Sequence, residues 1–282
     1  MSLTPSALAT LATSVVIDDL RVLLASLMLF NANPPTVYLL CDKKIAEMLP
    51  FLKYTGKVVV REGLEEYAGL SRADMEHLPG KRFASRFFDF TMEKVELMKW
   101  VLQEEPDALF CDADICFLGP LPQIPKGMSV GLSPHMIRLE DEAKYGKYNA
   151  GFMWFSSLEA IFKWEKACNT SRFFEQAALE TVATEMGEAL YTFPATENYG
   201  WWRLWQGTES SQALFNKWSF KRLPMTAGIA IDGIPFGSVH THFFEKKDAA
   251  TKRFNEVVIE MLTTLKRIHT PAKKLLYILA PK

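Results

Sequence analysis

The stretch Ala108-Leu-Phe-Cys-Asp112-Ala-Asp114-Ile-Cys-Phe-Leu118 decides how this chain is read. An apolar run ends in two aspartates, one residue apart, and a second apolar run follows. A run this apolar reads as a strand of a parallel sheet, buried on both faces. Carboxylates at its end lie at the sheet's carboxyl edge, where open α/β sheets bind ligands. Two hard oxygen ligands there suit Mg²⁺ or Mn²⁺, ions that bridge to phosphate-bearing substrates. The alternative is a pair of turn aspartates capping the next element.

The flanking sequence alternates between two periods. Residues 6–13 are small and apolar, and 17–30 are amphipathic, a strand followed by a helix that Asn31 and Pro34 stop. Residues 36–41 form a second strand, Asp42 N-caps a helix to about residue 52, and 57–60 form a third strand. This order argues for an α/β fold with a mostly parallel, doubly wound sheet. Residues 62–81 are polar, a loop or short helices, and 83–105 carry a helical face of Phe87, Phe90, Val95, Met98 and Val101. After Pro120, Pro122 and Pro125 a strand is expected at 128–132, then a charged, mobile stretch at 137–147. Tyr148-Asn-Ala-Gly-Phe-Met-Trp-Phe155 passes from polar to continuously apolar and reads as a strand at the sheet centre. Helices are expected at 157–169 and 173–186, a late short strand at 239–244, and a last helix at 249–268 before a basic, apolar tail. Without repeat or linker, the expected division is one domain over 1–247, with 248–282 as helix and tail.

Composition narrows the function classes. At 282 residues and 49% hydrophobic, the chain can bury one large α/β core. A net charge of −1 argues against a nucleic-acid partner held by a basic surface. The four cysteines include no C-x-x-C pair and no zinc spacing, so buried free thiols and a reducing, cytoplasmic compartment are expected. No run reaches the roughly 18 apolar residues of a membrane span. The apolar start lacks a basic flank and reads as a strand rather than a signal peptide.

The order of motifs extends the argument. After the acidic pair come Asn149-Ala150-Gly151, then Glu175-Gln176, then Val239-His240 with Lys246 six positions beyond the histidine. This order resembles the GT-A glycosyltransferases, most of all the retaining group of glycogenin and the bacterial lipopolysaccharide galactosyl- and glucosyltransferases. The resemblance spans roughly residues 6 to 247. It implies a Rossmann-like GT-A fold and transfer of a sugar from a nucleotide-sugar donor, a UDP-sugar, to an acceptor hydroxyl with retention. It also implies that Asp112, Asp114 and His240 hold Mn²⁺ (or Mg²⁺) on the donor diphosphate. Imidazole beside carboxylates favours Mn²⁺. His242, one strand repeat away on the same face, competes with His240 for that role. His77, His135 and His269 read as surface or loop residues.

The same resemblance implies donor contacts from Ala12 and Thr13 at the end of the first strand, from Ala113, and from Asn149, Ala150 and Gly151. Lys94, with Arg82 and Arg86 as alternatives, matches a basic donor-binding residue, although an exposed helical lysine would read the same way. Gln176 would stand near the anomeric carbon, and Glu175 replaces the family's aspartate. Lys246 would clamp the leaving diphosphate, but the family's Lys-Pro-Trp reads Lys246-Lys247-Asp248 here. The segment 199–206, with Trp201, Trp202, Arg203, Trp205 and Gln206, offers aromatic faces to an acceptor sugar or else belongs to the core. The acceptor is a glycan, a lipid-linked molecule or a protein. The basic tail could touch an anionic membrane surface, or dock on the body with its lysines solvated. Two other readings compete: a GT-A-like domain that binds nucleotide or glycan without turnover, and a haloacid-dehalogenase-type phosphatase. The phosphatase needs its acidic pair near the N-terminus and a downstream acidic cluster, and this chain has neither.

Overall fold

The computed structural model describes residues 2–244 and 248–280. Its main sheet comprises β1 (Ala7–Ala12), β2 (Thr36–Cys41), β3 (Val58–Glu62), β4 (Ala108–Cys111), β5 (Val130–Pro134), β6 (Tyr148–Phe155) and β7 (Leu190–Thr192). Across the sheet the order is β7-β5-β6-β4-β1-β2-β3. Pairing is parallel throughout β4-β1-β2-β3 and in β7-β5, while β6 is antiparallel to both β4 and β5. One strand therefore runs against the other six. The expected α/β class and mostly parallel sheet are present, and the apolar run at 148–155 is a central strand of reversed direction.

Alternation along β1 sets the layers. Leu8 and Ala12 belong to one core with Leu20, Leu24 and Leu27 of the helix Ile17–Phe30. Ala7, Ala9 and Leu11 belong to the other, with Val95, Met98 and Val101 of the helix Arg86–Glu104. All four cysteines are buried and free. The tail forms the helix Thr270–Leu279, whose Ala272, Leu275 and Leu279 join the first core. No helix among the described residues is long and apolar enough to cross a membrane.

A second, three-stranded sheet positions the site. Its strands are Tyr199–Gly200, Ser238–His240 and Ile115–Phe117, in that order across the sheet. The chain leaves the main sheet at Cys111 and enters the small one at Ile115, so Asp112, Ala113 and Asp114 form the corner between them. Residues 137–147, expected to be mobile, hold the helix Leu139–Tyr145. Arg172 fixes its end by donating to the carbonyls of Glu142 and Ala143 while paired with Glu180.

Asp107 ties three strands at their far end. Its Oδ1 accepts from the Ser6 amide at 3.0 Å and from the Trp154 indole at 2.9 Å. Asp107→Ala leaves both donors without a partner and should cost about 2–4 kcal/mol. Asp107→Asn keeps the acceptor and should cost less than half of that. Urea unfolding of the two variants checks the difference.

Candidate functional site

The corner gathers the site because of strand direction and register. Since β6 runs backwards, its first residues lie at the carboxyl edge of β4, and the Asp112 amide donates to the Gly151 carbonyl at 2.8 Å. On the other side His240 pairs with Ile115, and the Thr241 amide donates to the Asp114 carbonyl at 3.0 Å. Residues from 112, 151 and 240 thus converge from distant parts of the chain.

Ligand atoms of Asp112, Asp114 and His240 all lie within 4.8 Å of one another, the one such group among the described residues. His240 Nε2 stands 3.2 Å from Asp114 Oδ1 and 3.9 Å from Asp112 Oδ2. A glycine is required beside them: a Cβ at Gly151 would overlap Asp112 Oδ2 and His240 Cε1. Two carboxylates, one imidazole and a cradle without a side chain fit a divalent cation.

The orientation of His240 is fixed by a chain of polar groups. Its Nδ1 bonds Asn198 Oδ1 at 3.2 Å, the Asn198 amide donates to Asn149 Oδ1 at 3.0 Å, and Asn149 Nδ2 meets His135 Nε2 at 3.3 Å. His135 Nδ1 ends the chain on the Gly146 carbonyl at 2.8 Å. Every link is satisfied when both histidines donate from Nδ1, and His240 Nε2 then remains facing the carboxylates. Burial pushes His135 down to about 4, in keeping with a neutral ring.

Arg203 braces this chain from beneath. It is buried, without a carboxylate partner among the described residues, and it donates to the carbonyls of Pro134, His135, Ala195 and Asn198 while lying over the Tyr199 ring. Burial lowers it to about 10, still charged at neutral pH. Arg203 is a structural brace and does not face an acceptor. His135 and His269 lie in loops, as one of the two readings had it, but are buried rather than on the surface; His77 is exposed. Tertiary partners bury His135 and recruit Asn198, and neither lies in a local pattern that could have signalled it.

Lys94 is buried between two carboxylates, 3.0 Å from Asp112 Oδ1 and 3.0 Å from Glu175 Oε1, and it also donates to the Ala150 carbonyl. Burial alone would lower its pKa, but Asp112 and Glu175 outweigh this and raise it. Arg82 and Arg86 do not share this position. For Asp112, burial raises the pKa against the pull of Lys94. For Asp114, burial is outweighed by His240 and His242, which hold it below the usual carboxylate range. His242 sits outside the triad: its Nδ1 meets Asp19 Oδ2 at 2.9 Å and its Nε2 faces Asp114 Oδ2 at 3.4 Å, and Asp114 lifts it to about 10.

Glu175 and Gln176 precede the helix Leu179–Met186 and lie in the turn before it. Phe174 adopts a left-handed φ of 42° just ahead of them, a strained conformation of the kind that gathers at functional sites. The Trp164 indole holds the Glu175 carbonyl at 2.8 Å, and Gln176 bridges the Ala150 amide and the Tyr145 carbonyl. All the donor and metal residues singled out from the sequence except Ala150 line one cavity of about 820 Å³, as do Glu175 and Gln176. Lys246 lies outside the described residues.

This architecture is the GT-A fold of nucleotide-sugar glycosyltransferases. Mouse xyloside xylosyltransferase 1 is similar with a TM-score of 0.52 at 13% identity, over 84% of this chain and 97% of that one. The galactosyltransferase LgtC, solved with donor and acceptor sugar analogues, gives 0.55 at 13% identity, over 89% and 94%. The glycosyltransferase GlyE of Streptococcus pneumoniae gives 0.50 at 14%, over 86% and 55%. No protein-family model matches the sequence, and no curated protein does.

Gly151→Ala should fold but push Asp112 and His240 apart. Calorimetric titration with MnCl₂ should find affinity reduced roughly ten- to a hundredfold. His135 supplies a pH test. Its folded pKa lies below the unfolded value, so the unfolded state binds the extra proton and stability falls as pH drops from about 6.5 to about 4. The contribution is on the order of 3 kcal/mol. Glu197, which burial raises to about 7, acts in the opposite sense, losing its contribution as pH rises from about 4.5 toward 7. The difference between wild type and His135→Gln in melting temperature against pH isolates the histidine.

Proposed function

We propose that this chain is a metal-dependent glycosyltransferase that moves a sugar from a nucleoside-diphosphate donor, a UDP-sugar, to an acceptor hydroxyl with retention. One observation carries the reading: the Asp112, Asp114 and His240 ligand set stands beside the Lys94–Glu175 ion pair in a single large cavity. A divalent ion, Mn²⁺ before Mg²⁺, held by these three residues would neutralise the diphosphate and stabilise it as a leaving group.

The chain's own groups do the rest. The ends of β1 and β4, through Ala12, Thr13 and Ala113, line the cavity where a nucleoside would lie along the carboxyl edge. Lys94 supplies a fixed positive charge toward the donor, balanced by Glu175 when no ligand is bound. Asn149 and Gly151 form the floor beside the ligand set. Gln176 is a poor nucleophile, so its role is to orient the sugar and stabilise positive charge developing at the anomeric carbon. This supports front-face attack without a covalent sugar–enzyme intermediate. Lys246 is assigned to the departing diphosphate through the motif order alone.

The test is a thermal-shift screen of nucleoside diphosphates and nucleotide sugars with Mn²⁺, Mg²⁺ or EDTA. One nucleoside diphosphate should stabilise the protein only with metal, by about 2–3 kcal/mol near 100 times its Kd. Asp114→Asn should abolish that shift. Stabilisation equal in EDTA, or unchanged in Asp114→Asn, would count against the reading.

A further inference from the structure

The proposed donor residues leave one part of the cavity without a role. The segment 201–206 enters it beside the metal-ligand strand: Gly200 pairs with His240, and the Trp201 amide donates to the His240 carbonyl at 3.3 Å. Trp202 turns inward, donating from its indole to the His135 carbonyl, with its ring edge-on to His240 at 5.0 Å. Trp201 and Trp205, four residues apart, are left on the cavity side. Their rings lie within 6° of parallel with centroids 6.3 Å apart. Trp201 rests on the core, while Trp205 stands over it with 57% of its surface exposed.

We propose that Trp201, Trp205 and Gln206 form an acceptor subsite, and that its ligand is a pyranoside presented by the apolar face of its ring. A hexose or pentose ring in its chair form has a C–H face that packs on an indole and hydroxyls that need partners at the edge. Both needs are met here. The indole N–H groups of Trp201 and Trp205 have no hydrogen-bond partner among the described residues, and neither has the side-chain amide of Gln206. The main-chain carbonyl of Gln206 is engaged by the Arg138 amide at 2.8 Å, which fixes the platform without using those donors. A lipid chain would cover the same rings and bury three polar groups unpaired. This inference rests on the proposed glycosyl transfer and chooses, among its acceptors, a glycoside.

The experiment is saturation-transfer NMR on the whole protein with methyl α- and β-glycosides of glucose, galactose and xylose, with and without UDP and Mn²⁺. It is run on wild type, Trp205→Ala and Trp205→Phe. At least one glycoside should show saturation of its ring C–H protons, weakened about tenfold in Trp205→Ala and within about threefold of wild type in Trp205→Phe. The UDP and Mn²⁺ thermal shift should be the same in all three proteins. Absence of glycoside saturation in wild type, or saturation indifferent to Trp205→Ala, would overturn the subsite. So would loss of the UDP shift in Trp205→Ala, which would make the platform a nucleobase site. Should no nucleoside diphosphate bind wild type while a glycoside still depends on Trp205, the donor reading fails and the subsite stands.

Discussion

The site depends on one backbone event: the chain changes sheets between Cys111 and Ile115. Asp112 follows directly on the end of a strand in the main sheet, and Asp114 directly precedes a strand in the small one. Each aspartate therefore takes its surroundings from a different sheet. Asp112 meets Lys94 and the start of β6; Asp114 meets His240 and His242. The two carboxylates are held together by hydrogen bonds of two ladders, which fix their spacing more firmly than a turn alone could. A site so placed is preorganised by the fold, and preorganised charge does not have to reorient when a charged ligand arrives.

Charge at this corner is balanced in a way that leaves room for a ligand. Lys94 is committed to Asp112, Glu175 and the Ala150 carbonyl within the protein. Buried ion pairs of this kind are weak contributors to stability, because desolvation offsets most of their attraction. The arrangement is better explained by the site than by the core. A cation that drew Asp112 toward itself would loosen one partner of Lys94 and leave the ammonium free to face an anionic donor. His242, itself bonded to Asp19, stands on the opposite flank and faces the second oxygen of Asp114, so Asp114 is constrained from both sides.

Much of this was legible in the sequence, and the gaps have physical causes. The β1, β2 and β4 runs are apolar enough, and their spacing regular enough, to announce a buried parallel sheet. The acidic pair, His240 and the Asn-Ala-Gly run could each be found as motifs. Strand direction could not be read, because a run buried on both faces looks the same whichever way it points. Yet direction decides whether Asn149 to Gly151 reach the site: a parallel β6 would start at the far edge from Asp112. Lys94 was ambiguous for a related reason. Its helix pattern places it near the buried face, but only Glu175, 81 positions later, supplies the second charge that permits a lysine there. His135 and Asn198 left no signal, since their burial is created by Arg203 and by each other. The helix at 139–145 was not foreseen, because Arg172, which fixes its end, lies beyond the reach of a local pattern.

The polar chain from His240 to Gly146 and the aromatic segment at 201–206 are two sides of one construction. Arg203 opens the helix that carries Trp205, and its guanidinium grips the carbonyls beside His135 and Asn198. The side chains differ in purpose along this short segment: Trp202 and Arg203 bond the His135 carbonyl of the site's scaffold, Trp202 also meeting the cavity, while Trp201, Trp205 and Gln206 line the cavity without such bonds. A ring pair attached this closely to His240 cannot drift relative to the Asp112, Asp114 and His240 group. In transfer chemistry that fixed relation is what matters, since a reacting hydroxyl held near its target replaces a bimolecular encounter with an intramolecular one. The rigid scaffold and the open ring pair are built from the same six residues, so changes that tune the exposed rings are constrained by the need to keep His240 in place.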